Sequence, residues 1–217
     1  MRFAERQCGL ALGGLLLAMA LSGCQLFGRE KATPLATAAV PAAPAELPQA
    51  VRGAYTVALT AMQASDWLKA ESALQTLIDA NPELPGPVVN LGLVYQHLKR
   101  PDDARKLFER AVERWPDFAP AQHQLGRQLR DDGKFEAADA AFARAQAANP
   151  DYALAYYDRA VLNELYLQRL PQALENYMQF QRLQTREDAQ VARWIVDLQR
   201  RTSAPAVARP TTTGKPS

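Results

Sequence analysis

Few residues in this chain of 217 carry reactive chemistry: it has two cysteines and two histidines, and its Lys plus Arg (25) barely outnumber Asp plus Glu (23), for a formal net charge of +2. A balance so near neutral gives no basic field to draw in a phosphate backbone, which argues against nucleic acid as a partner. Phosphate-binding loops are missing as well. Neither G-x-x-x-x-G-K-S/T nor G-x-G-x-x-G occurs, and no glycine follows a plausible strand. The apolar run from Leu10 to Leu21 is short and rich in Gly and Ala, whereas crossing roughly 30 Å of hydrocarbon takes about 20 apolar residues. A permanent transmembrane helix is therefore the weaker reading of it.

Both cysteines, Cys8 and Cys24, lie within the first 24 residues, so processing is weighed before a disulfide. Arg2 and Arg6 precede the apolar run, and the small residues Ser22 and Gly23 follow it. That is the layout of a secretory signal. Leu21-Ser22-Gly23-Cys24 resembles the lipobox of bacterial lipoproteins, in which a small residue precedes a Cys that receives lipid and becomes the new N-terminus. The resemblance implies a thioether-linked diacylglycerol and an N-acyl chain on Cys24, more than the two signals that stable anchoring needs. Cys8 would leave with the signal, residues 1–23. An ordinary cleaved signal and an uncleaved anchor helix stay open as alternatives. In Gram-negative lipoproteins an Asp after the lipidated Cys favours inner-membrane retention; Gln25 stands there, which by resemblance points to the outer membrane, with the remainder facing the periplasm.

Residues 24–50 are dominated by Ala, Pro and Thr, with Pro34, Pro41, Pro44 and Pro48, and show neither helical nor alternating pattern. They read as an extended spacer of about 3 Å per residue. Residues 202–217 have the same character and read as a disordered tail.

Between them runs a 34-residue period. Pro82, Pro116 and Pro150 keep it, as do Ala70, Ala104 and Ala138, then Leu74, Phe108 and Phe142, and Gly92, Gly126 and Ala160; Ala173 and Tyr177 follow one residue late. These residues resemble the tetratricopeptide repeat, whose first helix carries Leu-Gly and an aromatic, whose second carries Ala and an aromatic, and which Pro closes. Leu91, Gly92 and Tyr95 share one helical face, and Ala104, Phe108 and Ala111 share one on the next. The expected fold is all-α: a right-handed superhelix of four helix-turn-helix repeats at about 51–84, 85–118, 119–152 and 153–187, closed by a capping helix at 188–201. Arg159 stands where Leu is expected in the fourth repeat, whose turn between Leu165 and Pro171 has one extra residue. Thr185-x-x-Asp188 offers a capping-box-like start for the last helix.

The resemblance implies that the first helices line a concave groove, placing there Tyr55, Leu59, Met62, Val89, Asn90, Leu93, Gln96, His97, His123, Gln124, Arg127, Arg130, Tyr157, Val161 and Glu164. About half of the apolar ones are expected to serve packing between repeats instead. Grooves of this family bind peptide or helical segments of other proteins. The clamp some members use for C-terminal carboxylates is matched here by Asn90 alone; Tyr55, Leu59, Pro120 and Gln124 occupy its other places. Arg127 and Arg130 are candidate partners for acidic groups. His97 and His123 fall near opposite ends of neighbouring helices, about 12 Å apart, too far to share a metal. The acidic pairs Asp102-Asp103, Asp131-Asp132 and Glu187-Asp188 read as turn or helix-start charges. With the mature cysteine lipidated, the sequence reads as a non-enzyme with no metal, cofactor or small-molecule substrate. The build resembles that of pilotins and other pilus-assembly lipoproteins, which implies a scaffold for an envelope machine such as a type IV pilus or secretion system. An adaptor or regulatory subunit for peptidoglycan-modifying enzymes is the alternative.

Overall fold

Four successive pairs of antiparallel helices and one closing helix make up residues 47–203, which are the residues described by the computed structural model. Among them are α1 (Gln49–Gln63), α2 (Trp67–Ala80), α3 (Pro85–His97), α4 (Pro101–Arg114), α5 (Ala119–Asp131), α6 (Phe135–Ala148), α7 (Ala153–Leu165), α8 (Leu170–Arg182) and α9 (Ala189–Ser203), with no strand. The signal, Cys24, most of the spacer and most of the tail lie outside the described residues. Gln49 and Ala50, and likewise Thr202 and Ser203, belong to α1 and α9 rather than to the flanking segments.

Each hairpin turns through one residue with left-handed backbone: Ser65 (φ 58°), Lys99 (61°), Gly133 (76°) and Gln168 (55°). In the first three, two backbone N–H groups reach back onto the orphan carbonyls of the helix end. Lys99 N–H donates to Gln96 O (3.1 Å) and Arg100 N–H to Tyr95 O (2.8 Å), and Ser65-Asp66 and Gly133-Lys134 repeat the pattern. The extra residue in the fourth turn stretches it, so that Arg169 N–H reaches Asn163 O at 2.8 Å. Asn81, Trp115 and Asn149 end the second helices, where the following Pro82, Pro116 and Pro150 cannot continue them.

Small residues on the first helix of a hairpin let the second approach. In the second and third hairpins these are Gly92 and Gly126, and a Cβ added to Gly126 would lie 2.6 Å from a ring carbon of Phe142; one on Gly92 would collide with Phe108. Both phenylalanines are fully buried, each contributing roughly 1.5–3 kcal/mol of apolar transfer energy. Ala58 and Ala160 hold the same repeat position in α1 and α7 and are equally buried. Packing against α2, α4 and α5 buries α3 all round from Gly86 to Val94.

The apolar core falls into two larger blocks. One joins the first two hairpins to the start of α5; the other joins α7 and α8 to α9, where Trp194 tilts against Tyr177 with ring centroids 5.4 Å apart. The closing helix starts differently from the sequence expectation. Asp188, not Thr185, caps it, accepting from Gln190 N–H at 2.9 Å and Val191 N–H at 3.1 Å. Between the two blocks, two smaller apolar clusters, one with Ala119 and Ala155 and one with Leu129 and Leu162, are joined by a cluster of polar groups.

Candidate functional site on the inner helices

Because α3 touches α5 and α5 touches α7, the first helices of the hairpins form one layer, and residues 34 apart line up across it. Most residues expected to line an open groove face sideways within this layer. Tyr55, Val89, Asn90, His123, Gln124 and Glu164 are at most 2 % exposed, so they are out of reach of a ligand, and Met62, Leu93 and Tyr157 are also buried. Leu59, Gln96, Arg127, Arg130 and Val161 are half-buried, and His97 is exposed. The expectation of an open lining at the first group is corrected: these residues are buried between helices, and Tyr55, Asn90 and His123 bond to the neighbouring first helix.

The joins can be read one by one. Asn90 Nδ2 donates to Tyr55 Oη at 2.7 Å, tying α3 to α1, so the single match to a carboxylate clamp is engaged in structure. Burial raises the Tyr55 hydroxyl pKa well above its ordinary value, which keeps that oxygen protonated. Gln96 Nε2 donates to Gln128 Oε1 at 3.4 Å between α3 and α5. Glu164 accepts from Arg201 of α9 at 3.1 Å and from the Tyr177 hydroxyl of α8 at 3.3 Å.

The densest join is at α5 and α7. His123 Nε2 lies 2.7 Å from Asp158 Oδ2, and its Nδ1 lies 3.2 Å from Tyr152 Oη. Nε2–H donates to the carboxylate, and Nδ1 faces the tyrosine hydroxyl. Arg130 reaches Asp158 Oδ1 at 3.4 Å and Arg127 reaches Oδ2 at 3.8 Å. Burial alone would raise the Asp158 pKa, but the His123 hydrogen bond and the charges of His123, Arg127 and Arg130 outweigh it and hold the carboxyl below its ordinary range. A Tyr-His-Asp chain has the look of an acid–base relay, yet His123 is 1 % exposed and both its ring nitrogens are engaged. It ties repeats together. Arg127 and Arg130 thus find an acidic partner inside the chain, one that the sequence reading did not single out. Asp158 follows Asn90 and Gln124 at successive 34-residue steps, and that polar column was the available signal.

Arg159, the departure from Leu in the fourth repeat, is matched by Asp139 of α6, with contacts of 2.7 and 3.3 Å. Asn163 donates to the same carboxylate at 3.0 Å and Arg169 lies 3.5 Å away. Burial opposes ionisation of Asp139, and the hydrogen bonds and charges of these three groups reverse it, leaving its pKa lowered. His97 stacks flat on Trp67 with ring centroids 3.9 Å apart. Partial burial, then the charges of Lys99 and Arg127, lower its pKa. Among the described residues no cluster of three His, Cys, Asp or Glu could hold a metal ion. Asp102 and Asp103 sit in the first turn of α4 as expected. Asp131 and Asp132 sit at the turn that ends α5, as the turn reading expects; they lie against its dipole and are offset by Arg130 at 3.1 Å and Arg105 at 2.6 Å.

One repeat position gives Leu59, Leu93, Arg127 and Val161; Leu93 is buried, and the other three are partly accessible on the inner layer. The family model described as tetratricopeptide repeat matches residues 55–119 and 123–165. The hairpins are tetratricopeptide repeats. Their match ends with α7, where Arg159 and the lengthened turn depart from the pattern. Among solved structures, Pseudomonas aeruginosa pilF is similar with a TM-score of 0.62 at 19% identity, over 71% of this chain and 69% of its own. A MamA RS-1 double mutant is similar with a TM-score of 0.56 at 16% identity, over 72% and 86%. YrrB, described as a TPR protein with an unusual peptide-binding site, gives 0.51 at 24% identity, over 68% and 75%. No curated protein matches the sequence. The all-α tetratricopeptide superhelix read from the repeat is the fold the chain adopts.

Proposed function

We propose that this protein is a non-catalytic scaffold that holds a segment of a partner protein against its inner helices and works at the outer membrane, anchored by lipid on Cys24, in assembly of an envelope machine such as a type IV pilus or secretion system. The observation that carries the binding part is the row of half-buried Leu59, Arg127 and Val161, two aliphatic side chains and one cation at one repeat position of the inner helices. A row of that kind offers an extended or helical segment apolar contact and a single polar mark of register. The buried ties beneath it make the row rigid, which lowers the entropy cost of binding. The anchoring part is supported by Leu21-Ser22-Gly23-Cys24 and Gln25.

Affinity capture of the lipidated protein from detergent-solubilised envelopes tests this reading. Recovery of a secretin or pilus subunit is expected. Recovery of a peptidoglycan hydrolase or synthase would assign the scaffold to cell-wall enzymes instead, and recovery of no envelope component would contradict both.

A further inference from the structure

One face of each first helix packs on the hairpin before it, and the first hairpin has none described before it. On α3 that face carries Pro87, Asn90, Leu91 and Val94, all buried, with Asn90 bonded to Tyr55 of α1. Ala121, Gln124 and Gln128 of α5 and Ala155 and Leu162 of α7 hold the same repeat positions and are buried as well. Thirty-four residues before the α3 set stand Gly53, Thr56, Val57 and Thr60 of α1, and all four are exposed, Val57 by 52%. None of them is charged. Both threonine hydroxyls donate back to carbonyls of their own helix at 2.8 Å, so they need no outside partner, and a Cβ added to Gly53 meets nothing within 4 Å. This face of α1 is thus built to be covered by apolar groups. At the other end of the stack the chain covers its last hairpin itself, with Val191, Trp194 and Leu198 of α9.

We propose that residues 35–46, the chain directly ahead of α1, fold back along α1 as an extended strap over this face, with Leu35 and Val40 against Val57 and the two threonines. The segment runs straight into α1, and Leu47, which follows it, is already half-buried. Its twelve residues reach about 36 Å at about 3 Å each, more than the roughly 22 Å length of the 15-residue α1. From Leu35 to Ala45 it carries no charge, which matches the uncharged face, and Pro41 and Pro44 keep it extended. Attachment at the edge of the face gives it an effective concentration there of about millimolar, above that of a second copy in dilute solution. On the anchored reading above, the strap leaves only residues 25–34 to span from Cys24 and so sets how far the repeats stand from the membrane; the strap itself does not depend on that reading.

Photocrosslinking of the full chain in detergent, with p-benzoylphenylalanine at Val57, followed by tryptic mass spectrometry, tests this. The expected product has the mass of one chain, and its fragment ions place the link within residues 35–46. Elastase should cut the unlabelled protein after Val40 about tenfold more slowly than it cuts Val57→Glu. Val196→Glu, which alters an exposed aliphatic residue on α9, should be cut at the wild-type rate. Both variants should keep the wild-type helical circular dichroism, which separates release of the strap from unfolding. Absence of a link to residues 35–46, whether the label reacts with nothing or with a second copy, would overturn the strap. Equal cleavage of wild type and Val57→Glu would overturn it too.

Discussion

His123 on α5 and Asp158 on α7 meet at 2.7 Å, and this contact crosses from one repeat to the next at the place where the apolar core is divided. This pair, with two arginines around the same carboxylate, adds to the small apolar clusters that Ala119, Ala155, Leu129 and Leu162 make there. Asp158→Asn should therefore lower stability by about 2 kcal/mol at neutral pH, read by urea unfolding. The sign with pH follows from the lowered pKa of Asp158. The carboxylate's contribution is fully present above its unfolded value and is lost as pH falls through the folded one. The gap between wild type and variant should accordingly narrow below about pH 4; a gap that widens in acid would contradict the assignment.

The three left-handed turn residues that are not glycine carry a conformational cost. Lys99→Gly should raise stability by about 0.5–1 kcal/mol, and Gly133→Ala, where nothing lies within 4 Å of the added Cβ, should lower it by about 1 kcal/mol. Thermal melting should show shifts of a few degrees in opposite directions.

A second pair of glycines separates close packing from backbone freedom. Gly126→Ala pushes its methyl into Phe142 and should cost about 1–3 kcal/mol, partly recovered when combined with Phe142→Leu. Gly53→Ala, in α1 with open space around it, should instead stabilise by about 0.5–1 kcal/mol. Equal effects at the two sites would mean that helix approach is not set by residue 126.

For the anchor, Cys24→Ala should abolish fatty-acid labelling and release the protein from the membrane fraction. Continued membrane retention would show an uncleaved apolar segment holding the chain.

The repeat was legible because it depends on size: Gly126 must be small and Phe142 must be large, so spacing alone exposes the hairpins. The ends of the second helices were legible as well, since Pro82, Pro116 and Pro150 cannot continue them. Side-chain direction within the inner layer was not. Asn90, Gln124 and Asp158 share one repeat position, and a polar residue there reads equally well as a ligand contact or as a buried tie until its neighbour is placed. Asp139 shows the same limit: nothing local marks it, and its meaning comes from Arg159, 20 residues away. The pairing of Arg159 with Asp139 follows no repeat position, so the 34-residue period did not expose it.

The most direct measurement is site-specific photocrosslinking in the native envelope, with p-benzoylphenylalanine placed at Val161 on the inner row or at the exposed Glu109 on α4. A scaffold that holds its partner in the concave face should give a discrete adduct with one envelope-machine component from Val161 and none from Glu109. Adducts from Glu109 alone, or from neither position, would contradict it.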